Sequence, residues 1–173
     1  MDSSWVIGLI TGGTAVVASW VAGLGATRSA RVQAEVTSRA ARAAETRTRR
    51  RDAYREMSAA VHGLSEVFWR VEEADAAAAG RSRTDILTQM GTAARTALNE
   101  VTRGSREVVL EGPAPVADAA QALRHAALTT TGLLGRLTTG GEDERARYDA
   151  AYQEFRSQHL AFLELARVAL EAD

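Results

Sequence analysis

The sequence predicts an all-α protein: an N-terminal transmembrane helix that continues into a basic helical stalk and then an antiparallel up-down-up-down four-helix bundle. Three observations carry this expectation. From Trp5 to Ala26 there are 22 residues without one ionisable side chain. Arg28, Arg31, Arg39, Arg42, Arg47, Arg49, Arg50 and Arg51 follow directly. Beyond them, four segments repeat apolar side chains at alternating steps of three and four, a mean period of about 3.5 that marks the seam of a left-handed bundle. The expected divisions are 1–27 for the tip and anchor, 28–50 for the stalk and 51–173 for the bundle.

An uncharged run of that length can cross the hydrocarbon layer as a helix. Its eight strongly apolar aliphatics, Val6 to Leu24, favour insertion by roughly 0.3–0.6 kcal/mol each, about 2.5–5 kcal/mol together. Glycine, serine and threonine erode that gain. Trp5 and Trp20 stand about 22 Å apart along a helix, which puts their indoles towards the two interfaces. Gly8, Gly12, Ala15, Ser19 and Gly23 form a small-residue ridge that begins as Gly-x-x-x-Gly and would let two helix backbones approach closely. A cleaved signal peptide is the competing reading, with Gly23-Leu24-Gly25 as a cleavage motif. It needs a basic leader, and Met1-Asp2-Ser3-Ser4 supplies an acid instead.

The arginine excess on the C-terminal flank puts the remaining chain on the cytoplasmic side, with the N-terminus outside. Net charge is −1, but residues 28–51 carry eight arginines against Glu35 and Glu45, a balance of +6, while residues 52–173 balance at −6. A positive end beside the anchor suits an anionic leaflet, so membrane lipid is an expected partner. The densest cluster is Arg47-Thr48-Arg49-Arg50-Arg51 with Arg55. A solvated stalk with a topology role is the leading reading there, and a phosphate grip on lipid comes second. Nucleic acid is disfavoured, because only Tyr54 is near for base stacking. The stalk seam, Val32, Val36, Ala40 and Ala43, is thin and meets arginine at 47 and 50, so any pairing along it should open there.

In the bundle the first seam is Tyr54, Met57, Val61, Leu64, Phe68 and Val71, in a helix expected from Arg51 to Ala79. The second is Leu87, Met90, Ala94, Ala97, Val101, Ser105 and Val108. The third is Val116, Ala119, Leu123, Ala127, Thr130, Leu134 and Leu137, and the fourth is Tyr148, Tyr152, Phe155, His159, Phe162, Ala166 and Ala169. Gly80, the run Gly112-Pro113-Ala114-Pro115, and Gly140-Gly141 separate them, with glycine past a helix end and proline inside the next start. Glu142, Asp143 and Glu144 fall in a first turn, where the macrodipole favours acids. Helices of similar length with short loops pack antiparallel.

Chemistry is scarce. The chain has no cysteine and three histidines, His62, His125 and His159. No glutamate stands three residues before any of them, as the Glu-x-x-His pairs of di-metal bundles require. Only His159 lies on a seam, where it is expected as a core residue hydrogen-bonded by a neighbour. There is no Gly-x-Ser-x-Gly and no phosphate loop. Catalytic, cofactor and metal residues are therefore all expected to be absent, and the protein is read as no enzyme. Trp69, adjacent to Phe68, is expected at the bundle edge rather than as a partner-binding aromatic.

All 21 basic residues are arginine. With that usage, the glycine-rich anchor, the arginine-rich alanine helix and the string Arg49-Arg50-Arg51-Asp52-Ala53-Tyr54-Arg55, roughly residues 1–70 resemble small single-pass membrane-anchored helical proteins of Streptomyces and related actinobacteria, their plasmids and phages. That resemblance implies a membrane location and a link to plasmid transfer or mobile-element biology, with no catalytic residue to carry over. The expected function is a membrane-tethered interaction or scaffold protein that binds a protein partner or its own copies. The alternatives are a signal-transmitting regulator and a membrane-perturbing, holin-like or growth-inhibitory protein acting through the glycine-rich helix.

Overall fold

A computed structural model describes the backbone of residues 4–77, 81–139 and 142–172, and the side chains of residues 31, 33–77, 83–139 and 142–172. The protein is all-helical, with no strand among the described residues. Its elements are α1 (Ser4–Trp69), α2 (Val71–Ala76), α3 (Arg81–Glu111), α4 (Ala114–Arg136) and α5 (Glu142–Ala172). The chain divides into two units, Met1–Glu45 and Thr46–Asp173.

In the first unit the side chains described between Arg31 and Glu45 are exposed apart from a half-buried Ser38, and Val36 is 60% exposed. Its hydrogen bonds are local: Thr37 Oγ1 donates to the Gln33 carbonyl at 2.8 Å, and Arg39 meets Glu35 one turn earlier at 2.6 Å. Among the described residues no helix is long and apolar enough to cross a membrane. The Trp5–Ala26 run expected to do so lies outside the residues whose side chains are described.

The second unit is a helical bundle whose neighbours are antiparallel. Between α1 and α3, Met57 lies beside Gly104, while Tyr54 and Arg50, earlier in α1, meet Gly112 and the Glu111 carbonyl at the far end of α3, the latter bonded by Arg50 Nε at 2.8 Å. Ser105 Oγ on α3 donates to the Ala120 carbonyl of α4 at 3.4 Å, and Thr130 Oγ1 on α4 donates to the Ala151 carbonyl of α5 at 3.1 Å. Between α5 and α1, Tyr54 meets Phe162 and Phe68 meets Tyr148, again in opposite order.

All four seams face inward. Met57, Val61, Leu64, Met90, Val101, Leu123, Leu134 and Phe162 are fully buried, and Ala97, Tyr152 and Ala169 pack partly buried against them. The three phenylalanines and three tyrosines all sit on α1 and α5. Phe68 is their hub, edge-on to Tyr148, Tyr152 and Phe155 at 5.3–6.3 Å between ring centroids. The Tyr148 hydroxyl donates to the Phe68 carbonyl at 3.0 Å, and burial pushes its pKa up, so it stays a donor.

Where the other helices meet, small residues set the spacing. A Cβ on Gly104 would stand 3.0 Å from the Met57 Cα, whereas one on Gly91, in the same helix, would have nothing within 4 Å. Gly104→Val should therefore force α1 and α3 apart and cost about 1–3 kcal/mol by overpacking. Gly91→Ala should stabilise by about 0.5–1 kcal/mol through helix propensity alone. Urea denaturation of the two variants checks the opposite signs.

One expectation needs correction. The first bundle helix does not run unbroken to Ala79. It stops at Trp69, turns at Arg70 and resumes as α2, with the Arg70 amide on the Val67 carbonyl at 3.3 Å. An unbroken helix would put Ala74 about 120° away from the direction of Phe68. The tightened turn rotates it inward, and Ala74 and Val71 are both buried. Arg50 lies in the same compact unit as the bundle, Thr46–Asp173. Arg50 is half-buried because its guanidinium caps the carbonyl end of α3, the negative pole of that helix dipole.

At the opposite end Asp75 ties three elements together. It pairs with Arg83 at 3.3 Å and with Arg145, while Arg83 also donates to the Leu137 carbonyl at 3.1 Å.

Candidate functional site

The small-residue ridge, Gly8, Gly12, Ala15, Ser19 and Gly23, and Arg28 lie outside the residues whose side chains are described. Arg31, Arg39, Arg42, Arg47, Arg49 and Arg51 are exposed, and Arg50 is committed to Glu111. The arginine run is thus no convergent site: exposed residues alternate with one drawn into the bundle. Arg49 lines a cleft of about 390 Å³ with Asp52, Glu56, Arg103, Glu107 and Glu111, where acids outnumber the two guanidinium groups.

His159 departs from expectation in its bonding. It is half-buried on α5, and its Nε2 is buried with no hydrogen-bond partner among the described residues. Burial first, and the positive field of His62 second, lower its pKa. His62 is itself exposed beside Glu66 at 3.4 Å. The seam position is too apolar to supply the partner that the sequence reading expected. The consequence for stability has a definite sign. The unfolded chain takes up the His159 proton at a higher pH than the folded one. Stability contributed here is full above the ordinary histidine pKa of about 6.5 and falls as pH drops through it towards the folded value. His159→Gln should flatten that acid slope in denaturation midpoints measured between pH 7.5 and 5, with His62→Gln flattening it less.

Among the described residues no cluster of three or more histidine and carboxylate side chains could hold a metal ion. Trp69 is 61% exposed, more open than the bundle-edge position expected of it.

Sequence reasoning missed a groove between α3 and α4 of about 510 Å³. On α3 the positions Thr102, Ser105, Arg106 and Val109 share one face by their spacing of three, four and seven, with Leu110 at the rim. Gln121 and Arg124, one turn apart on α4, form the opposite wall. Val109 and Leu110 are 41% and 77% exposed, so the groove has an apolar lip. No carboxylate lines it, and neither Arg106 nor Arg124 has a side-chain ion pair or hydrogen bond among the described residues. The α1/α3 clefts differ, since their arginines stand among glutamates, as Arg103 does with Glu100 at 2.5 Å. A concave surface with an apolar lip and two cations that no carboxylate in the lining offsets is chemically suited to binding.

No protein-family model matches the chain, and no curated protein or solved structure does either.

Proposed function

We propose that the chain is a membrane-tethered cytoplasmic helical-bundle protein that acts by interaction rather than catalysis, holding a protein partner or its own copies near the inner leaflet. The carrying observation is the uncharged Trp5–Ala26 run followed at once by eight arginines. That order of apolar length and basic flank specifies a single pass with the N-terminus outside and the bulk of the chain in the cytoplasm. Exposed Arg31 and Arg42 support the reading, because charge there can face an anionic leaflet, whereas Arg39 is paired with Glu35. So does the bundle, whose chemistry-bearing groups are few and whose surface keeps Trp69, Leu128 and Leu160 more than half exposed. A role in plasmid transfer or mobile-element biology is what the resemblance to actinobacterial anchored proteins adds.

The test is fractionation of cells that express the full chain with a C-terminal reporter. Recovery in the membrane fraction, with the reporter protected from external protease, supports the proposal. Freely dissolved full-length protein, or a reporter active outside the cell, refutes it. Release of a dye from liposomes by the intact protein would favour the membrane-perturbing alternative instead.

A further inference from the structure

We propose that the α3/α4 groove binds a single-chain anionic amphiphile, its carboxylate or phosphate held between Arg106 and Arg124 and its apolar tail laid along Val109 and Leu110. Charge selects the class. Arg106 and Arg124 line one cleft whose lining holds no carboxylate, and planar guanidinium donors favour a carboxylate or phosphate. Shape and polarity select the tail. The groove, about 510 Å³, lies within the range of small-ligand sites, and apolar side chains stand beside the cations. A simple inorganic anion would leave Val109 and Leu110 in water. A nucleotide base would want an aromatic face, and no aromatic residue lines the groove. Thr102 and Gln121 add neutral hydrogen-bonding groups to the walls. The groove belongs wholly to the Thr46–Asp173 unit, so the inference stands or falls independently of the N-terminal anchor.

The experiment is calorimetric titration of the full-length protein, held in nanodiscs of zwitterionic lipid, with octanoate, octyl phosphate, octanol and hexanoate, subtracting the titration of empty discs. Octanoate and octyl phosphate should bind saturably at one site, and octanol should not. Shortening the tail by two methylenes should weaken binding by roughly tenfold. Arg106→Gln and Arg124→Gln should each weaken octanoate by about tenfold with an unchanged melting curve, while Arg103→Gln, on the α1/α3 side, should leave binding intact. Octanol binding as tightly as octanoate, or unaltered binding by both groove variants, overturns the proposal. So does displacement of octanoate when phosphatidylglycerol replaces part of the disc lipid, because the headgroup would then belong to the membrane. Specific competition by an acidic amphipathic peptide in place of the alkyl anions would assign the groove to a protein partner and overturn it as well.

Discussion

Phe68→Ala is expected to lower the stability of the bundle by about 3–5 kcal/mol, the range for truncating a buried phenylalanine. Phe68 is 1% exposed and touches Tyr148, Tyr152 and Phe155 from one position. Its removal therefore leaves a cavity on which three rings cannot all close, and cavities that fail to collapse give the larger losses. Domains of this size are ordinarily stable by about 5–15 kcal/mol, so roughly a fifth or more of the total is at stake. All three tyrosines lie in this seam, which makes near-ultraviolet circular dichroism of the full-length protein the direct readout. The variant should melt roughly 10–20 °C lower. Tyr148→Phe, which keeps the ring and loses only the bond to the Phe68 carbonyl, should cost about 1 kcal/mol. Equal melting of Phe68→Ala and the parent protein would show that the aromatic seam contributes far less than its burial indicates.

On the proposed membrane tether, Val16→Arg is expected to release the protein from membranes. Position 16 is at the middle of the Trp5–Ala26 run. An arginine at a helix centre costs about 2.5–3.5 kcal/mol on the insertion scale, and the lost valine removes a further 0.3–0.6 kcal/mol. Together these cancel most of the roughly 2.5–5 kcal/mol that the aliphatic side chains of the run contribute. Val16→Leu keeps the hydrophobicity and should leave partitioning unchanged. Fractionation of the two variants side by side measures the difference. Retention of Val16→Arg in the membrane fraction would mean that something other than this run holds the protein there.

The four seams were legible because a 3.5-residue repeat is a property of one strip of chain. Tyr54 through Phe68 repeat it without a gap, and so do Val116 through Leu137. Even Ser105, a polar residue filling an apolar place, is buried. The interruption at Arg70 was not legible. No glycine or proline marks it, and the burial of Ala74 that accompanies it is a matter of tertiary packing. His159 could be placed on its seam, but not its missing partner, since that concerns what the facing helix offers. The groove escaped for the same reason: Arg106 and Arg124 are 18 positions apart and unremarkable singly. Only the α3/α4 register joins them, and the absence of acids from the groove lining gives the pair its chemistry.

By itself, then, the amino-acid order determined which segments are helical, which stripe of each is buried, and how charge is distributed from one end of the chain to the other. These follow from the pitch of a helix and the transfer of side chains from water, both local quantities. Tertiary structure decided which helices are neighbours, where Gly104 lets α1 and α3 close to contact, how Arg50 is drawn onto the end of α3, and which arginines stand without a counter-charge. Each of those depends on the axial register between helices, which arises from the packing of side chains distant in sequence.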